Sequence, residues 1–200
     1  MQYNIITIER QYASGGREVG ERLSQELGVP FYGKEILEMV AKKTGYTVPQ
    51  LERYEETATG SFLYSLYLIG RATAGETDGL SPTDKITLME AEIIRDLSNE
   101  GKCIFVGRGA GAMLQAREDV LNVFVYADNE YRRQRAIEEY GDEARRVDAT
   151  LRQYDRRRAN FYKAYSRKGW DDKENYHMML DSGKLGIEGV VKTILSQIEK

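Results

Sequence analysis

The chain has 200 residues, a formal net charge of −3, one cysteine and one histidine. That length suits one domain with a sizeable core, or a core with a small mobile subdomain, and not two full domains. The acidic balance excludes general affinity for nucleic acid unless basic residues cluster, the lone Cys103 excludes a disulfide framework or a multi-thiolate metal site, and no apolar stretch is long enough to span a bilayer.

Residues 4–8 form a β-branched run that predicts a central strand, and after a glycine pair Val19, Leu23 and Leu27 share one helix face, stopped by Gly28 and Pro30. A second helix is expected from Lys34 to Thr44, with Ile36, Leu37 and Val40 inward and Gly45 at its end. Between residues 46 and 82 an apolar patch from Phe62 to Ile69 precedes "GRATAGETDGLSP", which has the composition of a flexible loop. "SPTDK" opens a helix carrying Ile86, Met89, Ile93, Ile94 and Leu97 inward, and "CIFVG" then reads as a short buried strand. "LNVFVYA", residues 121–127, has the near-continuous apolar pattern of a strand covered on both faces.

The last third alternates helix and strand. Asp128 or Asn129 caps a helix reaching Tyr140, and a long helix follows from Glu143 to Tyr165, with Val147, Leu151, Tyr154, Phe161 and Tyr165 at spacings of three and four. "YHMML" reads as a strand, and the chain closes on a helix with Ile187, Val190, Val191, Ile194 and Ile198 on one side. Strands alternating with amphipathic helices imply an α/β fold with a parallel sheet.

The first strand-to-helix corner, "RQYASGGREVG", carries the chemistry. Such a corner presents amide N–H groups and a helix N-terminus to one point, where an anion is stabilised, and Gly15 and Gly16 permit close approach. The usual phosphate-loop pattern G-x-x-x-x-G-K-[ST] is not met: Gly16 stands in the lysine's place, Arg17 in the hydroxyl residue's place, and Ala13 near the first glycine's place. Two readings therefore stand, a phosphate seat or a turn that uses Ser14 and the glycines merely to cap the helix.

Positive charge gathers far along the chain. From Arg132 to Arg158 there are nine arginines and six acidic residues. Arg158 falls in the apolar register between Tyr154 and Phe161, so it is expected to face a cleft or a buried partner, whereas Arg156 and Arg157 also fit a solvated face. His177, Cys103 and Trp170 read as structural, and with one histidine neither a zinc site nor a nucleophile–histidine pair is available.

The segments "ITIERQYASGGREVGERLSQELG", "FYGKEILEMVAKKTG", "CIFVGRGAGAML", "VFVYADNEYRRQRAIEEYG" and "DRRRANFYKAYSRKGWDDKENYHMMLDSGKLGIEGVV" resemble, in order and spacing, the cytidylate kinase-like family of P-loop nucleoside monophosphate kinases. The resemblance covers nearly the whole chain. It implies an α/β P-loop fold, one domain with an acceptor-binding subdomain about 34–82 and an arginine-rich lid about 141–172. It implies phosphoryl transfer from ATP, with Mg²⁺, to a nucleoside monophosphate such as CMP or dCMP, in the cytoplasm, with neither nucleic acid nor membrane as partner.

Carried over residue by residue, the resemblance implies that Ser14, Gly15, Gly16, Arg17 and Glu18 hold the nucleotide. Arg152, Arg156 and Arg158 of the Asp-Arg-x-Arg-like lid run, with Arg17, would neutralise charge on the moving phosphoryl group. Lys34, Arg108 and Asp155 would face the acceptor. "VGRGAG" keeps Gly107 and Arg108 but offers Gly109 where the family's Gly-Arg-Asp has its aspartate. Arg17 is expected to replace the missing lysine, and Glu9 or Glu18 to reach Mg²⁺ through water. The departures leave two alternatives open: a kinase for another small acceptor, or a nucleotide-binding regulator with little transfer.

Overall fold

The structure, a computed structural model, describes residues 3–51 and 82–198. The expectations for residues 52–81, including the apolar patch from Phe62 to Ile69 and the flexible loop, lie outside the described residues.

Apolar runs form a parallel sheet in the order β2-β3-β1-β4-β5, with its three central strands largely buried on both faces. Its strands are β1 (Ile5–Arg10), β2 (Phe31–Tyr32), β3 (Cys103–Val106), β4 (Val120–Tyr126) and β5 (Met178–Asp181). The helices are α1 (Gly16–Leu27), α2 (Glu35–Thr44), α3 (Pro82–Glu100), α4 (Ala110–Met113), α5 (Asn129–Glu138), α6 (Val147–Ser166) and α7 (Ser182–Ile198).

Alternation along the strands separates two apolar layers. Ile6, Ile8, Val123 and Val125 meet Val19 and Leu23 of α1 and Val190 and Ile194 of α7. Ile5, Cys103, Phe105 and Val120 turn the other way, onto Ile36, Leu37 and Val40 of α2 and Ile86, Ile93 and Ile94 of α3. Cys103 is thus a core residue, as expected. Among the described residues no helix is long and apolar enough to cross a membrane.

Boundaries follow local chemistry. Gly28 and Gly45 end α1 and α2 in the left-handed conformation, and the Asp128 side chain accepts the Tyr131 N–H at 2.8 Å to start α5. Three expectations are corrected. α6 starts four residues later than expected, and its body-facing stripe runs Val147, Leu151, Asp155, Arg158, Tyr162, while Tyr154 is 38 % exposed. His177 precedes β5, where its Nδ1 accepts the Asn122 N–H at 2.9 Å. α7 is broken at Gly186, whose backbone is not helical, so one periodic apolar face spans two helical pieces.

Candidate active site

The connections after β1 and β3 leave the sheet on opposite faces, α1 to one layer and α4 to the other. In a parallel sheet that divergence opens a crevice at the C-terminal ends of the strands. Its walls are the corner 11–15 and the turn Gly107–Arg108–Gly109.

The corner is held from several directions. The Ser14 hydroxyl donates to the carbonyls of Gln11 (2.9 Å) and Val125 (3.0 Å), and the Ser182 hydroxyl donates to the Ser14 carbonyl at 2.7 Å. Ser14 is therefore a buried brace of the loop. Gly15 has φ 80°, and a Cβ there would collide with the Ile187 side chain. Ala13 also takes a positive φ, 59°, a glycine-like conformation held by its surroundings. The amides of Gly15, Gly16 and Arg17 make no hydrogen bond among the described residues, so the α1 N-terminus keeps open donors aimed along its dipole.

Side chains from the C-terminal third close over this corner. Arg158 Nη1 donates to the Arg10 carbonyl at 3.0 Å, and its guanidinium stands over the Tyr12 ring. Tyr12 stacks on Tyr154 with ring centroids 4.3 Å apart and donates its hydroxyl to Asp142. Asp155, expected at the acceptor, is occupied elsewhere. Its carboxylate accepts the Tyr12 amide N–H at 2.7 Å and Arg132 Nη1 at 2.6 Å. Arg135 reaches Glu18 at 3.0 Å, tying α5 to α1.

The other candidates are dispersed. Arg17 pairs with Glu21 at 2.8 Å, approaches Glu35 at 3.7 Å and lies over Phe31, so its fork faces α2 rather than the crevice. Arg152 and Arg156 are exposed on α6 and make no hydrogen bond or ion pair among the described residues. Lys34 is exposed at the start of α2. Arg108, at φ 61°, approaches the buried Glu90 of α3 at 3.8 Å, on the crevice wall where an acceptor would lie.

The two carboxylates considered for Mg²⁺ are committed. Glu9 is buried, accepting from the Trp170 indole N–H at 3.1 Å, and burial raises its pKa against the lowering influence of Arg10. Glu18 binds Arg22 and Arg135. Among the described residues no group of three or more histidine, cysteine or acidic side chains could hold a metal ion. With Arg17 in the hydroxyl position and Ser14 fully buried, no Ser or Thr hydroxyl of this corner faces the crevice to ligate Mg²⁺.

One residue at the centre went unpredicted. Counting five positions back from Gly15 puts Arg10, rather than Ala13, at the first glycine of the phosphate-loop pattern. The sequence signal for Arg10 is this spacing. The Arg10 side chain runs past Gly16 to Gly107: a Cβ at Gly16 would lie 2.8 Å from Arg10 Cγ, and a Cβ at Gly107 would strike its guanidinium. Burial and the charges of Arg158 and Arg108, opposed by Glu9, lower its pKa to about 9.

The matching relatives agree with this architecture. A solved structure of an uncharacterized protein from Eubacterium ventriosum ATCC 27560 is similar at TM-score 0.73 and 20 % identity, covering 98 % of both chains. Shikimate kinase from Acinetobacter baumannii, in complex with shikimate, is similar at TM-score 0.54 and 16 % identity over 98 % of this chain and 93 % of that one. Shikimate kinase from Aquifex aeolicus gives 0.53 and 23 %, over 98 % and 96 %. The fold is that of the P-loop kinases. No curated protein matches the chain. The model of the cytidylate kinase-like family matches residues 5–184, and with that span of the sheet, corner and arginine-bearing helix accounted for, the chain belongs to the cytidylate kinase-like family.

Proposed function

We propose that the protein transfers the γ-phosphoryl group of ATP to a small acceptor, with a nucleoside monophosphate, CMP or dCMP, as the leading candidate. What supports this reading is the open amides of the α1 N-terminus together with the Arg158 guanidinium, which bonds to the Arg10 carbonyl at the end of β1. The acceptor oxygen attacks the γ-phosphorus while the bond to the β–γ bridging oxygen breaks, and ADP departs. No covalent enzyme intermediate is needed, because such transfer depends on positioning and on neutralising charge around the moving group. ATP phosphates would lie on the amides of Gly15, Gly16 and Arg17, with Arg158 above them. Arg108 and Lys34 would face the acceptor, and the exposed Arg152 and Arg156 would draw the polyanion toward the crevice. Mg²⁺ would enter with the nucleotide, held by phosphate oxygens and water, and would supply neutralisation of phosphate charge. Buried, reduced Cys103 suits a cytoplasmic setting.

A second reading within the same chemistry is a kinase for a different acceptor, favoured by Gly109 where the family's aspartate would stand. A third, a nucleotide-binding regulator, is favoured by the absent lysine and hydroxyl. A coupled assay with ATP, Mg²⁺ and a panel of nucleoside monophosphates and hydroxylated ring acids separates them. Turnover of CMP or dCMP supports the first, turnover of a ring acid alone supports the second, and ATP binding without turnover supports the third.

A further inference from the structure

We infer that Arg10 is the phosphate-contacting cation of this site, its side chain having exchanged places with the loop lysine: arginine stands where the pattern has its first glycine, and glycine where it has its lysine. The inference rests on the ATP-binding reading above and deepens it by naming the residue that holds the β- and γ-phosphates.

Three observations carry it. The first is steric. Arg10 lies so close to Gly16 that a side chain at 16 has no room, with Arg10 Cγ 2.8 Å from where a Cβ would sit. The two positions compete for one volume, and only one of them can bear a long side chain. The second is direction. From that volume the Arg10 guanidinium extends along the crevice to Gly107, between the open amides of the α1 N-terminus and the Arg108 turn.

The third is lack of a fixed partner. Arg10 makes no side-chain hydrogen bond or ion pair among the described residues. Elsewhere arginines near the corner are tied down: Arg132 to Asp155, Arg135 to Glu18, and Arg158 to the Arg10 carbonyl. Arg10 instead feels two like charges, Arg108 and Arg158, against one carboxylate, Glu9. A partly exposed guanidinium flanked by two cations and one carboxylate, with no protein acceptor among the described residues, is suited to an anion, and its fork matches two phosphate oxygens. Gly107 lets it lie flat, since any side chain there would fill its place.

Arg17, the alternative, is held by Glu21 and Glu35 on the far side of α1. The exchange also explains why loss of the lysine need not abolish nucleotide binding: the charge reaches the same crevice from the strand end instead of the helix.

The test is titration of full-length protein with ATP, and separately with inorganic tripolyphosphate, followed by calorimetry, with circular dichroism melting to verify folding. Arg10→Ala is expected to weaken both ligands about 10- to 100-fold, as for loss of a charged hydrogen-bonded pair. Arg17→Ala is expected to leave them within about twofold. Gly16→Lys alone is expected to bind poorly, and Arg10→Gly combined with Gly16→Lys to recover most of what Arg10→Gly loses. Wild-type-like ATP affinity in folded Arg10→Ala overturns the inference while leaving the kinase reading intact. Failure of the wild-type protein to bind either ligand removes both. If Arg10→Ala melts early, Arg10→Lys serves instead: a point charge without the fork should bind between wild type and Arg10→Gly, and affinity equal to wild type overturns the two-point contact.

Discussion

Arg158 hydrogen-bonds to the backbone of Arg10, Nη1 to carbonyl oxygen at 3.0 Å, so the two arginines are joined through a neutral group while their like charges face one crevice. The bond is charge-assisted and contributes about 1.5–3 kcal/mol, but the buried charge of Arg158 raises the cost of the charge on Arg10. These effects oppose each other. Arg158→Ala should therefore change unfolding free energy by only about 1 kcal/mol while weakening ATP binding about tenfold or more. Chemical denaturation and calorimetry on the same sample check this, and a stability loss with unchanged affinity would make Arg158 purely architectural.

Asp155 gives a contrasting expectation. It neutralises Arg132, whose side chain is 7 % exposed, and receives the Tyr12 amide. Removing one partner of a buried pair leaves the other uncompensated, so Asp155→Ala should cost about 3 kcal/mol. Asp155→Asn keeps an acceptor for Tyr12 and should cost roughly half as much. Urea melts of both variants decide the order. Equal losses would show that charge on Asp155 is immaterial.

The Trp170 indole donates to Glu9 beneath the site. Trp170→Phe preserves most of the packing on Phe124 and removes the donor, which should cost about 1–3 kcal/mol at neutral pH. Burial raises the folded pKa of Glu9 above 4.5, so the folded state takes up a proton that the unfolded state does not. Stability through this group therefore rises as pH falls toward 4.5. The Trp170→Phe deficit should shrink over the same interval, and a constant deficit would argue that Glu9 is already neutral.

At the opposite end of the sheet, Arg117 grips Asp119 by two hydrogen bonds of 2.8 and 2.9 Å, lowering the carboxyl pKa from 3.8 to about 2. A depressed acid stabilises above its unfolded pKa and loses that contribution as pH falls through the folded value. With both side chains about 30 % exposed, solvent screening leaves roughly 1–2 kcal/mol. Arg117→Ala should lose this margin above pH 4 and converge with wild type near pH 2. Parallel melting curves across pH 2–6 would refute it.

The sheet and most helix ends were legible because strong local signals and burial agree: Gly28 and Gly45 terminate helices in sequence and in space. Two elements were not. β2 is two residues long, fixed by pairing with Ile104 and Phe105 across the sheet, and a dipeptide has no periodicity to read. α4 spans four residues and depends on the left-handed turn 107–109. At the site, Arg158 was legible as a charge in an apolar register. Asp155 was not, because its partners Tyr12 and Arg132 come from distant segments, and a carboxylate in an arginine run looks like substrate chemistry until the loop amide is seen against it. Arg10 ends β1, where the phosphate-loop spacing marks its position in the sequence, but the space it fills beside Gly16 and Gly107 is set by the fold.

The bond from the Tyr12 amide to Asp155 makes one peptide proton a clock for α6. Were that helix to lift, the proton would lose its acceptor and become free to trade with heavy water, so deuterium uptake at a single backbone position would report movement of α6 without label or ligand. Saturating nucleotide, if it seals the crevice, should slow that clock.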